Sequence, residues 1–465
     1  MNNSEPKFKE FTVWTSTKCN LKCRYCFVYK LNEEQTYKAM TTETADQLIA
    51  FADKHLSPDG KIWFFGAEPL CNWAIIQYIV EKSRSKGYKW QFGATTNATL
   101  IDEEKVQWMK QINFGLLLSI DGPKDSHNTN RVIADGTGSW EDAWRGLSLV
   151  RKTLNPNPQI HWTVTPSTAK GLANNIKIIV EENNLTNLAV DFAYEVEWTK
   201  DDLIVLKKEL ETFGDYYKKW INEGKPVFSM FIRDANSALT QTIRPWCSRC
   251  GLGNGSMGID YDGTLYPCHR FIDSHKKVIG DIYNGFNQTH QQWQKDWQKI
   301  APYCEEPKKC LTCNYKKACS GGCIAMNYDL FGTPHINPET FCTIKQLIVD
   351  TLGDLCKSLQ NNPTFQKQYR KNVQQPKATV NKPCGCSDKI PNKEDQKMGK
   401  TTTTQGMLSP ESTQDLTTLT AQINAAKVSE DLQKALKKVL STLIAENITL
   451  KKENIQLRAE KASKS

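Results

Sequence analysis

The chain has 465 residues, enough for two or three domains, and only 39% of them are hydrophobic, so part of the chain is expected to lie outside a core. Its net charge is +9, but residues 361–465 hold 18 Lys or Arg and 10 Asp or Glu, so +8 of that charge lies at the C-terminal end. The remainder carries +1 and lacks the clustered basic face of a nucleic-acid-binding protein.

The sequence also lacks membrane and secretion signals. No apolar run approaches the ~20 residues of a membrane span, and residues 1–10 are polar rather than an apolar signal segment. We therefore predict a cytoplasmic protein with neither a membrane nor a nucleic-acid partner. In a reducing compartment its sixteen cysteines favour metal ligation or catalysis over disulfides. Three lie at 19–26 and nine at 247–342, which is a clustering typical of metal sites.

Residues 8–235 alternate between predicted strands and predicted helices. The strand candidates are Phe11–Thr15, Lys61–Phe65, Gln91–Thr96, Asn113–Ile120, Gln159–Thr165 and Ala189–Tyr194. The helix candidates between them include Thr42–Lys54, Trp73–Lys86, Glu103–Gln111 and Ser139–Arg151. This alternation predicts an α/β fold with a parallel sheet, either a partial (β/α)6 barrel or an open sheet. Ligands of both arrangements bind at the carboxyl ends of the strands.

The rest of the chain divides by composition. An amphipathic helix at 200–222 is predicted to close a first domain spanning 1–235. A Cys-rich domain at 236–360 follows, with a short strand at Ser256–Tyr261 and a last helix from about Thr343. The polar segment 361–408 is predicted to be a flexible linker, and 409–465 a helical tail.

The tail contains a heptad repeat. Its predicted d positions are Leu436, Leu443, Leu450 and Leu457, and its a positions are Leu440, Asn447 and Asn454. Leucine at d with asparagine at a favours a parallel two-stranded coiled coil, and therefore a homodimer. The alternative is an amphipathic helix that docks on the rest of the chain or on an acidic partner, because Ile444, Ile448 and Ile455 lie off the seam.

The first cysteine group is Cys19, Cys23 and Cys26, with the spacing C-x3-C-x2-C directly after the first predicted strand. A loop with this spacing can bring three thiolates to one face of an iron–sulfur cluster. Such clusters normally have four cysteine ligands, so three would leave one iron open to a small molecule. A partial zinc site is the alternative interpretation.

With Tyr25 before its third cysteine, this motif resembles the radical S-adenosylmethionine superfamily, and the resemblance covers about residues 8–345. It implies that Cys19, Cys23 and Cys26 bind a catalytic [4Fe–4S] cluster whose open iron chelates S-adenosylmethionine. It further implies that a reducing donor such as flavodoxin or ferredoxin drives cleavage of that cofactor to a 5′-deoxyadenosyl radical, which abstracts a substrate hydrogen.

Further segments match this superfamily in order. Gly66-Ala67-Glu68-Pro69 is similar to its Gly-Gly-Glu-Pro motif, with Ala67 in place of the second glycine, and implies that Glu68 accepts the cofactor's amino group. Ser119-Ile120-Asp121-Gly122, with Arg131 downstream, is similar to a segment that holds the ribose and carboxylate; a surface ion pair is the alternative for Arg131. The cofactor-binding residues implied are Tyr25, Gly66, Glu68, Asn97, Ser119 and Arg131.

The later cysteines resemble the seven-cysteine SPASM domain, because Cys310, Cys313, Cys319 and Cys323 have the spacing C-x2-C-x5-C-x3-C. The resemblance implies two auxiliary [4Fe–4S] clusters; a pair of zinc ribbons is the alternative. The ligands implied for the first cluster are Cys247, Cys250, Cys268 and Cys323. Those implied for the second are Cys310, Cys313, Cys319 and Cys342.

Enzymes of this type modify peptides or proteins. In the sulfatase maturases an Asp base typically follows the cysteine that corresponds to Cys268, whereas this chain has His269, and its Cys-His-Arg-Phe segment is more similar to thioether-forming maturases. His269 is either a catalytic base or a structural imidazole. We therefore predict a radical maturase that forms a thioether or related crosslink in a ribosomal peptide.

Two alternatives stay open: an anaerobic sulfatase-maturating, formylglycine-generating enzyme, and a non-catalytic iron–sulfur or zinc protein. The segments around Glu68, Ser119 and Arg131 argue against the second, since an electron carrier needs no cofactor pocket. Because Cys19 lies so near the start of the sequence, we expect the leader of a peptide substrate to be bound by a separate protein, by the SPASM domain or by the basic tail.

Overall fold

The computed structural model describes residues 8–28, 37–240, 255–273, 277–287, 308–319, 322–333 and 336–370. They belong to one compact unit, Met1–Cys386, and the second unit, Ser387–Ser465, lies outside the described residues. The predictions for Cys247, Cys250, the linker after 370 and the coiled-coil tail likewise lie outside them. No helix within the described ranges is both long and apolar enough to cross a bilayer.

The centre of the fold is a sheet with eleven strands in the described part of the chain. These strands are β1 (Phe8–Trp14), β2 (Leu56–Phe65), β3 (Gln91–Thr96), β4 (Gly115–Ser119), β5 (Ile160–Val164), β6 (Asn187–Phe192), β7 (Phe228–Ser229), β8 (Ser256–Ile259), β9 (Thr264–Tyr266), β10 (Gly280–Asp281) and β11 (Gly285–Phe286). Strands β1 to β7 are parallel and neighbour one another in sequence order. Strand β8 pairs in parallel with the other side of β1, and β9 to β11 continue antiparallel.

Helices connect and flank these strands. They are α1 (Thr42–His55), α2 (Trp73–Ser85), α3 (Glu103–Gln111), α4 (Lys124–Asn130), α5 (Trp140–Thr153), α6 (Pro166–Ala169), α7 (Leu172–Glu181), α8 (Lys200–Asn222), α9 (Met230–Thr240), α10 (His269–Asp273), α11 (Lys308–Leu311), α12 (Ile324–Phe331), α13 (Glu339–Ser358) and α14 (Pro363–Arg370). A short 3-10 helix spans Pro69–Asn72. Two of these helices begin at capping residues. Asp102 accepts a hydrogen bond from Lys105 N at the start of α3, and Thr199 and Asp202 form a capping box at the start of α8.

The predicted α/β class is confirmed, as are the six predicted strands and the four named helices between them, with ends that shift by a few residues. Strand β1 pairs with β2 and β8, and β6 pairs with β5 and β7, so the run from β1 to β6 does not close on itself. The core lies between the sheet and its helices, where Phe11, Ile62 and Leu118 are fully buried. Each such side chain contributes about 1.5–3 kcal/mol of transfer free energy.

The structure differs from the predicted domain boundaries at two places. Position 235, the predicted end of the first domain, lies inside α9, and β8 of the Cys-rich region extends the first domain's own sheet. The start of the predicted linker is helical, because Phe365 and Tyr369 lie one turn apart on α14 and are both buried. The Tyr369 hydroxyl also contacts the backbone of Ser229 at 3.3 Å, which anchors α14 to the body.

Candidate active site

A cavity of about 810 Å³ opens where the loops follow the carboxyl ends of the parallel strands. Every residue that the sequence analysis named as catalytic or cofactor-binding lines it. These residues are Cys19, Cys23, Tyr25, Cys26, Gly66, Glu68, Asn97, Ser119, Arg131 and His269. The structure therefore brings together segments from β1 to β4 and from the Cys-rich region, although their individual roles stay predictions.

The cysteine loop after β1 is organised by short-range contacts. Leu21 N donates to Cys19 Sγ at 3.4 Å, and Cys26 N donates to the Cys23 carbonyl at 3.0 Å. Burial raises the pKa of Cys23 to about 12 and that of Cys19 well above its ordinary value, and the neighbouring thiols add to both effects. The thiols of Cys19 and Cys23 are therefore protonated at pH 7 in the absence of metal, and binding of iron has to displace their protons.

Glu68 is fixed at the turn after β2. Gly66 has φ +118°, and a Cβ there would lie 2.7 Å from the Trp14 ring, so the turn requires glycine. The Glu68 carboxylate is 2% exposed and accepts from Leu70 N, Thr96 Oγ1 and Asn97 N at 2.8–3.0 Å. Burial raises its pKa to about 6 despite these donors. At neutral pH most Glu68 is thus ionised and able to accept an ammonium group.

Asn97 acts mainly within the protein. Its Nδ2 donates to Asn20 Oδ1 at 2.9 Å, and its Oδ1 accepts from the backbone and hydroxyl of Thr99. The side chain thus ties the end of β3 to the cysteine loop, while its backbone N–H holds Glu68. Asn97 lies beside the cavity, as predicted, but its amide group is already committed to protein partners.

Asp121 and Arg131 form a buried ion pair, and Arg131 lines the cavity. Arg131 Nε lies 3.0 Å from Asp121 Oδ2 without hydrogen-bond alignment, and the side chains are 8% and 0% exposed. The surface ion pair considered for Arg131 is therefore wrong. Burial disfavours the charged guanidinium, but the carboxylate of Asp121 outweighs this, so the pKa of Arg131 is raised.

The same carboxylate organises Tyr25, whose hydroxyl donates to Asp121 Oδ2 at 2.7 Å. The Arg131 guanidinium lies 5.5 Å from the Tyr25 ring centroid, and its Nη1 lies 3.9 Å from Cys23 Sγ. Arg131 therefore joins the loop after β4 to the cysteine loop. Nearby Ser119 lines the cavity at the end of β4, in register with His161 of β5.

The Cys-rich region supplies one wall through the first residues of α10. The His269 ring packs against Phe65, with centroids 4.6 Å apart. Burial, and then the neighbouring Arg270 cation, lower the pKa of His269 to about 4, so its imidazole is neutral at pH 7. Arg270 lies over the Phe27 ring at 3.5 Å from its centroid and forms an ion pair with Glu195.

The polar cavity residues that were not predicted from the sequence include His161, Thr163 and Asp191. A signal was present in β5, where His161 and Thr163 alternate with fully buried apolar residues, so the two polar side chains share the opposite face. Asp191 Oδ1 accepts from the Tyr194 hydroxyl at 2.8 Å. Together these side chains make the β5–β6 wall hydrogen-bonding in character.

Two predicted auxiliary ligands meet at a small core separate from the main one. Cys268 and Cys323 pack against it, as does Cys26 of the first motif. Its buried residues are Trp14, Val28, Tyr266, Phe271, Ile272, Ile324, Ala325 and Tyr328. Cys268 and Cys323 therefore contact the same small core, and their membership in one auxiliary site stays a prediction.

The second predicted auxiliary set is partly ordered by local contacts. Cys313 N donates to the Cys310 carbonyl at 3.2 Å, and Cys319 N donates to the Tyr315 carbonyl at 3.0 Å. The Tyr315 hydroxyl reaches the Asp350 carboxylate of α13 at 2.9 Å, and α13 carries Cys342. Within the described residues no three Cys, His, Asp or Glu converge on a point that would hold a single metal ion.

Comparison with known proteins places the chain in a family. Residues 15–165 match the model of the Radical SAM superfamily. Over 327 residues the chain is 26% identical to a cysteine-type anaerobic sulfatase-maturating enzyme of Clostridium perfringens (strain 13 / Type A), an alignment that covers 66% of this chain and 86% of that protein. The chain belongs to the radical SAM superfamily. It is therefore an enzyme that uses S-adenosylmethionine and a [4Fe–4S] cluster.

This radical SAM enzyme is also similar to a second curated protein and to a solved structure. It is 22% identical over 376 residues to the radical SAM cyclopropyl synthase TigE of Paramaledivibacter caminithermalis, which covers 76% of this chain and 75% of TigE. It shares its fold with the solved structure of native anSMEcpe with bound AdoMet and Cp18Cys peptide, at a TM-score of 0.63 and 21% identity, over 76% of this chain and 99% of that one.

The donor set around the cavity fits the superfamily's cofactors. Three thiols suit an iron–sulfur cluster with one open iron. A buried carboxylate, Glu68, and a buried cation, Arg131, both line the cavity and complement the ammonium and carboxylate ends of an amino acid.

Proposed function

We propose that this radical SAM enzyme matures a peptide or protein, and that it forms a thioether or related crosslink in a ribosomal peptide. One observation carries the proposal: a single cavity joins the cofactor-type residues to His269 and Arg270 of the Cys-rich region and to His161 and Asp191 of the β5–β6 wall. A substrate side chain entering it would lie between the radical source and these polar groups.

The cofactor roles follow from the donors. Cys19, Cys23 and Cys26 hold the catalytic cluster, Glu68 accepts the cofactor's ammonium group and Arg131 binds its carboxylate. The Ser119 hydroxyl binds the ribose, and Gly66 lets the backbone approach. Tyr25 keeps Asp121 and Arg131 in place through its hydroxyl and ring. When bound, the cluster and S-adenosylmethionine supply the 5′-deoxyadenosyl radical that abstracts a substrate hydrogen.

His269 is proposed as the base of the reaction. A thioether crosslink removes two hydrogens from the peptide, one as the abstracted atom and one as the thiol proton together with one electron. A bound iron–sulfur cluster would supply the acceptor for that electron. A neutral imidazole on the cavity wall accepts that proton. Phe65 holds its ring in place.

The remaining cysteines are proposed to bind two auxiliary [4Fe–4S] clusters. Cys268 and Cys323 contact the same small core, which is compatible with a shared cluster, although Cys26 of the first motif contacts it too. The contact between Tyr315 and Asp350 supports the second site, because it holds the loop of Cys310, Cys313 and Cys319 against α13. Partners under this proposal are a peptide or protein substrate and a one-electron donor such as flavodoxin or ferredoxin.

Sulfatase maturation is the second candidate, and similarity to a sulfatase-maturating enzyme favours it. His269, at the position where those enzymes are expected to carry an aspartate base, favours the crosslink. Coexpression with a short Cys-containing peptide encoded beside the gene separates the two. Loss of about two hydrogens and one free thiol from that peptide supports a crosslink, whereas a mass change matching formylglycine on a sulfatase peptide supports the alternative.

Radical generation itself is tested without any peptide. Replacing Cys19, Cys23 and Cys26 together by alanine is expected to abolish reductive formation of 5′-deoxyadenosine and to leave the auxiliary iron bound. Formation at the wild-type rate by this variant would remove the catalytic assignment of the three cysteines.

A further inference from the structure

His127 and Ser139 lie outside the cavity lining and are not among the motif residues named above, yet they connect the two ends of the segment 121–131. His127 is on α4 and is 0% exposed, and the backbone N–H of Asp121 donates to its Nδ1 at 3.3 Å. Because Nδ1 accepts this bond, the proton of the neutral ring lies on Nε2. Nε2 is 3.1 Å from Ser139 Oγ and therefore donates to it.

The hydrogen bonds continue to Arg131. The Ser139 hydroxyl donates to the Arg131 carbonyl at 2.9 Å, and the Ser139 N–H donates to the same oxygen at 3.2 Å. The N–H of Arg131 in turn donates to the His127 carbonyl at 2.9 Å. These bonds form a relay in which each group donates to the next: Asp121 N–H to His127, His127 to Ser139, and Ser139 to the Arg131 carbonyl. Both the N–H and the carbonyl of Arg131 are thereby hydrogen-bonded.

Ser139 does not cap its own helix with its side chain. It is the N-cap residue of α5, where a serine hydroxyl usually accepts an N–H of the first helical turn. Here its side chain makes no such capping bond. The hydroxyl instead donates a hydrogen bond to the carbonyl of Arg131. A residue at a helix-capping position therefore stabilises the neighbouring loop rather than the helix.

The His127 ring keeps the protonation state that the relay requires at neutral pH. Burial, and then the Arg131 cation, lower the pKa of His127 to about 4. The ring thus stays neutral at pH 7 and keeps Nδ1 as an acceptor. The guanidinium beyond the relay has little freedom, since it is enclosed by Asp121, Tyr25 and Cys23.

We infer that His127 and Ser139 are positioning residues that aim Arg131 at the carboxylate of S-adenosylmethionine by fixing its backbone relative to Asp121. The inference rests on the proposed cofactor role of Arg131 and is independent of the peptide substrate. A small displacement of the Arg131 backbone would misplace a buried charge that has no room to readjust.

The test measures binding of S-adenosylmethionine to the full, cluster-reconstituted chain by anaerobic calorimetry. Ser139→Ala and His127→Gln are each expected to raise the Kd about five- to tenfold, the size of one lost buried hydrogen bond. Decarboxylated S-adenosylmethionine, which lacks the group that Arg131 would bind, should show less than about a twofold change. Ser139→Thr keeps the hydroxyl and is expected to restore binding.

Thr129→Ala is the matched control, because the hydroxyl of this half-buried residue of α4 donates to the Asp125 carbonyl of its own helix and takes no part in the relay. It should leave both Kd values unchanged. In an Arg131→Lys background, Ser139→Ala should add less than about twofold, since the relay acts through Arg131.

Failure of the relay and failure of the cofactor role of Arg131 would give different results. Equal losses for both ligands, or a lower melting temperature with an unchanged Kd, would mean that the relay only supports the fold. If Arg131→Lys weakens binding while Ser139→Ala does not, the relay is overturned and the role of Arg131 stands. If Arg131→Lys leaves binding unchanged, both are overturned, whatever the peptide substrate turns out to be.

Discussion

Phe65 and His269 meet ring to ring, with centroids 4.6 Å apart, at the point where the end of β2 contacts the first residue of α10. One residue belongs to the parallel sheet that carries the cofactor motifs, and the other follows Cys268 of the Cys-rich region. Both line the same cavity. The parallel sheet and the Cys-rich region therefore contribute side chains to one cavity.

His269→Phe tests the proposed base. Phenylalanine keeps the packing against Phe65 but cannot accept a proton, so modification of a coexpressed peptide is expected to fall by about a hundredfold or more. Formation of 5′-deoxyadenosine should continue, because radical generation precedes the proton transfer. Mass spectrometry of the peptide and of the nucleoside measures both. Parallel loss of both products would identify His269 as a structural imidazole.

Glu68 predicts a pH dependence of cofactor binding. Burial raises its pKa to about 6, so the carboxylate is ionised above that pH and protonated below it. Only the ionised form accepts an ammonium group, so the Kd of S-adenosylmethionine should be level above pH 7 and rise as the pH falls through 6, by about tenfold per unit at the acidic end. Calorimetry from pH 5 to 8 measures this profile.

Glu68→Gln is the companion variant for that profile. It removes the titrating group, so binding should be weaker at pH 7 and nearly flat with pH across the same window. An unchanged acidic rise in this variant would assign the pH dependence to another group.

The features that depend on local sequence pattern could be predicted from the sequence. The strands and main helices follow from alternating apolar runs and caps, and the motifs around Glu68 and Arg131 lie at strand ends, where a parallel sheet gathers them. It could not predict what depends on tertiary contacts. Asp191 gave no signal in its apolar strand, and α14 is polar apart from two buried aromatics. The relay through His127 depends on a hydrogen bond to a residue beyond its own helix.

Cluster content should report how the cysteines are shared. If all three sites hold four-iron clusters, the reconstituted chain binds about twelve iron. Cys268→Ala and Cys323→Ala are each expected to lower this by about four, and the double variant by no more than either, because both residues would serve one cluster. Iron analysis with electron paramagnetic resonance measures the loss. Additive losses would place the two cysteines in different clusters, and stoichiometric zinc with little iron would contradict all three sites.

A buried ion pair anchors α13. Lys345 Nζ lies 2.6 Å from Asp234 Oδ2, with side chains 11% and 9% exposed. Lys345→Met leaves Asp234 buried with only Arg233 as its cation, so we expect the free energy of unfolding to fall by about 3 kcal/mol. Lys207→Met, which breaks an exposed pair with Glu211 on α8, should cost no more than about 0.5 kcal/mol. Urea denaturation compares the two, and equal effects would contradict the argument.

The C-terminal heptads, which lie outside the described residues, predict the oligomeric state. Leucine recurs at every d position from 436 to 457, and Asn447 and Asn454 occupy a positions. Two asparagines facing each other across a parallel dimer satisfy each other's amide groups, whereas in any other register each is buried without a partner. Truncation after Gly406 is therefore expected to convert a dimer into a monomer in light scattering while 5′-deoxyadenosine formation is preserved. A full-length protein that stays monomeric at high micromolar concentration would favour instead a single amphipathic helix that docks on the enzyme body or on an acidic partner.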